Sequence, residues 1–192
     1  SGSAVWRGSL YVCLEWPDNV ARAWQRGPTV MNAVATKSLA IRPLTLDELP
    51  LCVPFGKAFV REKHVPGEFS PETFIKNWTM FLSAYPAVIF GLWEDMALVG
   101  GIGGMIFPDL NTGTPCAIEF FWYVDPAHRN TLGAARLPLT FKKWGKRHGA
   151  ERFRMIHLLD EGEDPSTVKL SKFYTKTLKL RPMEVCFDGP IS

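Results

Sequence analysis

The sequence lacks the paired ligands of a metal site. Its four cysteines, Cys13, Cys52, Cys116 and Cys186, stand far apart with no C-x-x-C pair, and its four histidines are scattered without an H-E-x-x-H. That spacing argues against structural zinc and against a zinc hydrolase. No G-x-x-x-x-G-K-[ST] is present, so nothing supports a nucleotide P-loop. Gly101-Ile102-Gly103-Gly104 lacks the last glycine of a dinucleotide fingerprint, and Phe107-Pro108 follows it where a helix should begin. It reads as a strand whose glycines permit close backbone approach. Long apolar runs are missing too: the longest, Met96 to Phe107, contains four glycines and is too short to span a bilayer. Ser9 to Leu14 is apolar, but Glu15 and Asp18 follow and no cleavage site stands out, so no signal peptide is expected. Charge of one sign is scarce. Lys and Arg number 22 against 19 Asp and Glu, a net +3, too mild to argue for nucleic acid by composition. There are no repeats and no low-complexity tract.

What is present is an ordinary amount of core. The chain has 192 residues, 46% of them hydrophobic, which suits one folded domain. Seven Trp and thirteen Phe suggest a large core or a lined groove. Cys116 and Cys186 sit in apolar, strand-like runs where a free thiol acts as a small hydrophobe, and the expected setting is reducing and cytoplasmic. Residues 1–37 read as an N-terminal extension and 38–192 as the domain. Ser1-Gly2-Ser3 resembles a cloning remnant, and residues 4–30 show no steady periodicity. Met31 is then a candidate natural start. The alternative is a real element packing through Trp6, Trp16 and Trp24, at a homodimer contact in one version.

From Ser38 the pattern sharpens. Ser38 to Arg42 is a strand ended by Pro43. Thr45, with Glu48 three residues on, makes a capping box for a helix from Leu46 to about Lys63, which Pro54 and Gly56 should bend or split. Ser70-Pro71-Glu72 starts a second helix carrying Phe74, Ile75, Trp78, Phe81 and Leu82 at helical spacing. Ala87–Trp93 and Ala97–Phe107 form a hairpin across Glu94-Asp95. Ala117 to Val124 is a buried strand ended by Asp125-Pro126. A helix runs from about Thr131 to His148, with Gly149 as its stop and Pro138 as an expected kink. Arg152–Leu159 is a strand, Asp160–Asp164 an acidic loop, Pro165 to about Leu178 a helix, and Pro182–Phe187 a last strand. The order is β-α-α-β-β-β-α-β-α-β.

The chemistry concentrates between Glu119 and Ala134. A strand ends, a short basic loop follows, and a helix begins. A helix N-terminus offers unpaired N–H groups and about half a positive charge, which suits a diphosphate. Val124-Asp125-Pro126 followed by Arg129-Asn130-Thr131-Leu132-Gly133-Ala134 resembles the GNAT superfamily of acyl-CoA-dependent N-acyltransferases, phage and bacterial members included. Their pattern is a V-x-P strand end, then Arg/Gln-x-x-Gly-x-Gly/Ala. The resemblance covers residues 38–187 through the element order. Leu132 stands where the family usually has its first glycine.

The resemblance implies an α/β (α+β) GNAT fold, a mixed and mostly antiparallel sheet flanked by helices. It implies acetyl-CoA as acyl-donor co-substrate and a primary amine acceptor, a small molecule or a peptide, with no membrane partner and nucleic acid disfavoured. Cofactor binding falls to Tyr123, Val124, Arg129, Asn130, Thr131, Leu132, Gly133 and Ala134. Small residues at Gly133 and Ala134 would let phosphates approach the backbone, and a backbone N–H late in the 117–124 strand would polarise the carbonyl. Glu119, a lone carboxylate in an apolar strand, would be the general base acting through water, its pKa raised by burial. Tyr174 would protonate the leaving thiolate. Their plain alternatives are a salt-bridged Glu and a packing aromatic beside Phe173. His157 is an alternative base. The basic residues Arg136, Lys142, Lys143, Lys146, Arg147, Arg152 and Arg154 would meet the CoA 3′-phosphate or merely solvate a face. His64 and Glu68 sit where the family usually binds its acceptor. Leu132 and Pro138 leave open a non-catalytic CoA-binding or interaction module.

Overall fold

A computed structural model describes residues 39–63, 65–158 and 169–183. The N-terminal extension, His64, the acidic loop Asp160–Asp164 and the expected last strand beyond Met183 lie outside the described residues. Among the described residues five strands form one sheet: β1 (Leu39–Pro43), β2 (Ala87–Glu94), β3 (Ala97–Pro108), β4 (Pro115–Val124) and β5 (Arg152–Arg154), in that spatial order. Neighbours run antiparallel except β4 and β5, which are parallel. The expected mixed, mostly antiparallel sheet is therefore the observed one. No helix among the described residues is long and apolar enough to cross a membrane.

The helices form where local chemistry starts them. The Glu48 carboxylate takes the Thr45 N–H at 3.0 Å and also pairs with Arg42. The segment it caps is a 3-10 helix, Leu46–Cys52, and α1 (Val53–Glu62) follows with Pro54 in its first turn. The expected single helix thus splits, one residue before the proline that cannot donate into the preceding turn. Helix α2 (Pro71–Ala84) begins as expected: Ser70 Oγ accepts from the Thr73 N–H at 3.2 Å, with Pro71 first. Helix α3 (Leu132–Arg147) runs unbroken through a buried Pro138 and stops before Gly149, whose φ is +87°. Beyond β5 come α4 (Lys169–Lys172) and a π-helical turn, Phe173–Thr177.

Helices cover both sheet faces, and β3 shows why. A Cβ on Gly103 would lie 2.7 Å from the Trp78 ring of α2, whereas one on Gly104 would meet the Phe141 ring of α3 at 2.5 Å. Successive strand residues face opposite sides, so each glycine admits an aromatic from its own layer. Gly104 also lies so near β4 that a Cβ would run into the Ile118 carbonyl oxygen, the close backbone approach read from the sequence. Trp78, Trp122 and Phe141 are fully buried in the two layers, each contributing roughly 3 kcal/mol by burial. Cys52 and Cys116 are buried free thiols, and burial pushes the Cys52 thiol up to about 12.

Two irregularities shape the functional end of the sheet. Gly103 opposes Phe121 while Gly104 opposes Glu119, so Phe120 is an extra residue in β4. Both Phe120 and Phe121 pack on α2, against Phe81 and Trp78. This bulge breaks the two-residue period and puts Glu119 on the same side of the sheet as Trp122. The second irregularity is a parting of β4 and β5. They pair from Cys116–Arg152 to Ile118–Arg154 and then separate, while β4 continues to Val124. The expected strand over 152–159 therefore ends at Arg154. Residues 155–158 form no ladder pairs with β4.

Candidate active site at the parted strands

Glu119 sits where the strands separate. It is fully buried, and its Oε2 accepts the Ile156 N–H at 3.1 Å, so a side chain replaces the ladder bond that β4 no longer makes. Burial holds its carboxyl well above the usual range, with the Ile156 N–H offsetting this in part. Oε1 has no partner among the described residues, nor does the Nε1 of Trp122, three residues on. Buried polar atoms without partners are uncommon and suggest water or a ligand.

Tyr174 approaches the same point from the other side. It is buried on the π-helical turn, and its hydroxyl donates to the Ile156 carbonyl at 3.1 Å. Its ring lies against Trp122 and His157. The two side chains expected to carry catalysis thus grip one residue, Glu119 through its N–H and Tyr174 through its C=O. A π turn places an extra residue in a helical turn and recurs at functional sites. His157 Nδ1 lies 3.3 Å from Ser171 Oγ, which ties it to α4.

The loop between β4 and α3 is a compact arch. Asp125 accepts the Ala127 N–H at 2.9 Å across a short 3-10 turn, Pro126–His128. Thr131 then caps α3, its Oγ1 accepting the Ala134 N–H at 3.2 Å. That cap occupies one donor expected to face a diphosphate. Among the described residues the N–H groups of Leu132 and Gly133 find no partner. Asn130 is exposed, and the Leu132 side chain is 48% exposed, so it points away from the core. Gly133 faces the sheet: a Cβ there would lie 2.8 Å from Leu92 and 2.9 Å from Leu39. Its small size serves helix-to-sheet packing. Ala134 is fully buried for the same reason.

Arg129 is held inward. Its Nε donates to the Val124 carbonyl at 2.9 Å and its Nη2 to Glu62 Oε2 at 2.5 Å. Glu62, in the last turn of α1, takes the Tyr123 hydroxyl on its other oxygen at 2.8 Å. The guanidinium lies 5.2 Å above the Tyr123 ring, and Phe55 stacks beneath that ring at 5.5 Å. Burial and the Glu62 carboxylate push the Tyr123 hydroxyl up to about 12. His128 approaches Glu94 of β2 at 3.6 Å, so carboxylates flank the arch on two sides. Sequence reasoning missed Glu62, which carries no local motif and meets the loop only through tertiary contact.

The structure brings Glu119 and Tyr174 together at Ile156, and Tyr123, Val124 and Arg129 together with Glu62. It divides the basic residues. Lys142, Lys143, Lys146 and Arg152 rim a cavity of about 760 Å³ floored by Ala117, Leu139 and Phe153. That cavity lies at the opposite end of α3 from the Thr131 cap, away from the loop.

Comparison with known proteins gives a consistent result. Residues 55–175 match the family model described as acetyltransferase (GNAT) family. A predicted acetyltransferase from Clostridium acetobutylicum with acetyl-CoA superposes at a TM-score of 0.63, with 11% identity over 80% of this chain and 96% of that one. AAC(6')-Iy, in complex with the bisubstrate analogue CoA-S-monomethyl-acetylneamine, gives 0.61 with 16% identity over 81% and 99%. Glucosamine-6-phosphate N-acetyltransferase from Arabidopsis thaliana gives 0.56 with 14% identity over 81% and 99%. At these identities the likeness is one of fold. No curated protein matches the sequence.

Proposed function

The chain belongs to the acetyltransferase (GNAT) family, and on that premise we propose that it moves an acetyl group from acetyl-CoA to a primary amine. The observation that carries this reading is the convergence of a buried carboxyl and a tyrosine hydroxyl on Ile156, at the point where β4 and β5 part. The unpartnered Glu119 Oε1 and Trp122 Nε1, with the open N–H groups of Leu132 and Gly133, fit a polar ligand threaded from the loop to the parting.

Acetyl-CoA, when bound, supplies an acyl group activated as a thioester. Glu119 takes a proton from the acceptor's ammonium through water. Burial raises its pKa, which makes the carboxylate a stronger base than an ordinary glutamate. As the amine nitrogen bonds to the carbonyl carbon, the carbon–sulfur bond breaks and the thiolate leaves. Tyr174 supplies the proton that the sulfur takes up. A backbone N–H late in β4 polarises the carbonyl. The loop donors of Leu132 and Gly133 hold the diphosphate, with Tyr123, Val124, Arg129, Asn130, Thr131 and Ala134 shaping their arch. The acceptor is a small amine, a class represented by the acetylneamine portion of the ligand on AAC(6')-Iy. The free thiols of Cys52 and Cys116 suit a reducing, cytoplasmic setting.

Two observations favour a second reading, a CoA-binding or interaction module without catalysis. Arg129 is already committed to Glu62, and Leu132 stands where the resemblance leads one to expect a glycine. Thiol release measured across a panel of amines separates the two. Release with any acceptor, abolished by Glu119→Gln, supports transfer. A melting shift with acetyl-CoA but no release across the panel supports the module. No melting shift at millimolar acetyl-CoA removes both.

A further inference from the structure

Arg129 lies in the loop that leads to the open N–H groups of Leu132 and Gly133, yet its guanidinium is turned inward. It donates to the Val124 carbonyl and to Glu62, and Glu62 is itself fixed by the Tyr123 hydroxyl. The pair is only partly exposed, Arg129 at 17% and Glu62 at 29% of the side chain. A half-buried ion pair with a second hydrogen bond on its carboxylate is better screened from water than a surface pair. We propose that Glu62 competes with the diphosphate of the acyl donor for Arg129, and so sets the affinity of the loop. With the Glu62 carboxylate in place, two of the five guanidinium N–H donors are taken, the group is drawn inward, and a negative charge stands beside the loop. Removing that charge frees the donors for a diphosphate and removes its repulsion. The inference rests on the proposed function only in naming the ligand; the competition concerns any diphosphate at this loop.

The test is Glu62→Gln, which keeps the shape of the side chain and an acceptor for the Tyr123 hydroxyl. Binding of CoA, of pantetheine and of inorganic diphosphate is measured by calorimetry on the full chain. CoA and diphosphate should bind about three- to tenfold more tightly to the variant, while pantetheine, which carries no phosphate, should not. Arg129→Gln should cost CoA affinity less than about threefold in the native background and about tenfold or more in the Glu62→Gln background, because only there does Arg129 reach the phosphates. Equal costs in the two backgrounds, or a Glu62→Gln variant that binds diphosphate no better, overturns the competition. A gain shared by pantetheine also overturns it, since a purely structural change moves both ligands. Should Glu62→Gln not fold, a tenfold loss from Arg129→Gln in the native background overturns it and a loss below threefold supports it. If the native chain does not bind CoA but Glu62→Gln gains diphosphate binding, the acetyltransfer reading falls and the competition stands.

Discussion

Glu119→Gln should change stability with pH in a way that no surface carboxylate can. The native carboxyl is fully buried and its pKa lies well above the ordinary 4.5. In the unfolded chain it ionises near that ordinary value, so above it the folded state binds the extra proton. Stability that is full below the unfolded pKa is therefore lost as pH rises toward the folded pKa, at about 1.4 kcal/mol for each pH unit. Glutamine does not titrate and escapes this loss. The amide keeps an acceptor for the Ile156 N–H, but sets an NH2 where Oε1 now has no partner. That costs about 1–3 kcal/mol at every pH. The variant should melt below the native protein at pH 4.5, and the difference should narrow or reverse as pH rises toward about 7. For a chain of this size each pH unit of that loss is worth roughly 3–6 °C. Melting curves of both proteins across that range, in one buffer series, measure it, because all other titrating groups cancel in the difference. A gap that stays constant with pH means the folded carboxyl ionises normally, and the buried-base reasoning is then wrong. Turnover of the variant, once an acceptor is known, should fall by about 10²–10⁴-fold, with the deficit shrinking at high pH.

Tyr174→Phe should slow turnover while leaving acetyl-CoA affinity nearly as it was. Its melting point should fall by the equivalent of about 1 kcal/mol, since the Ile156 carbonyl loses one donor; full activity would make Tyr174 a packing residue. Gly133→Val should destabilise by about 1–3 kcal/mol, because its side chain meets Leu92 and Leu39. Leu132→Glu, on an exposed side chain, should leave the melting point within about 0.5 kcal/mol yet weaken CoA binding by charge. Equal destabilisation by the two would contradict the assignment of Gly133 to the sheet contact. A chain beginning at Met31 should fold and bind CoA, which circular dichroism and calorimetry check. An insoluble product would make Trp6, Trp16 and Trp24 packing residues.

Much of the fold was legible from local chemistry. Ser70-Pro71, Thr45 with Glu48, Thr131 and Gly149 mark helix ends because capping involves neighbours a few residues apart. The β2–β3 hairpin was legible as two apolar runs about the Glu94-Asp95 turn, and β4 as a buried aromatic run ended by Asp125-Pro126. The loop from Val124 to Ala134 was recognisable as a strand-to-helix turn, and Glu119 stood out as one carboxylate in an apolar run. Other features had no local trace. The Phe120 bulge depends on how β4 meets the glycines of β3, and it decides which face Glu119 takes. The parting of β4 from β5 shortened a strand that alternation alone would extend to Leu159. The sheet contact of Gly133 left no local trace because the residues it packs on, Leu39 and Leu92, lie tens of residues away. Nor did the sequence show what holds Arg129, because its partner, Glu62, is 67 positions earlier. Periodicity and caps encode where an element begins and which stripe it buries. The partner each side chain finds is set when elements pack, since a contact across the fold depends on register, twist and bulge that no short window contains.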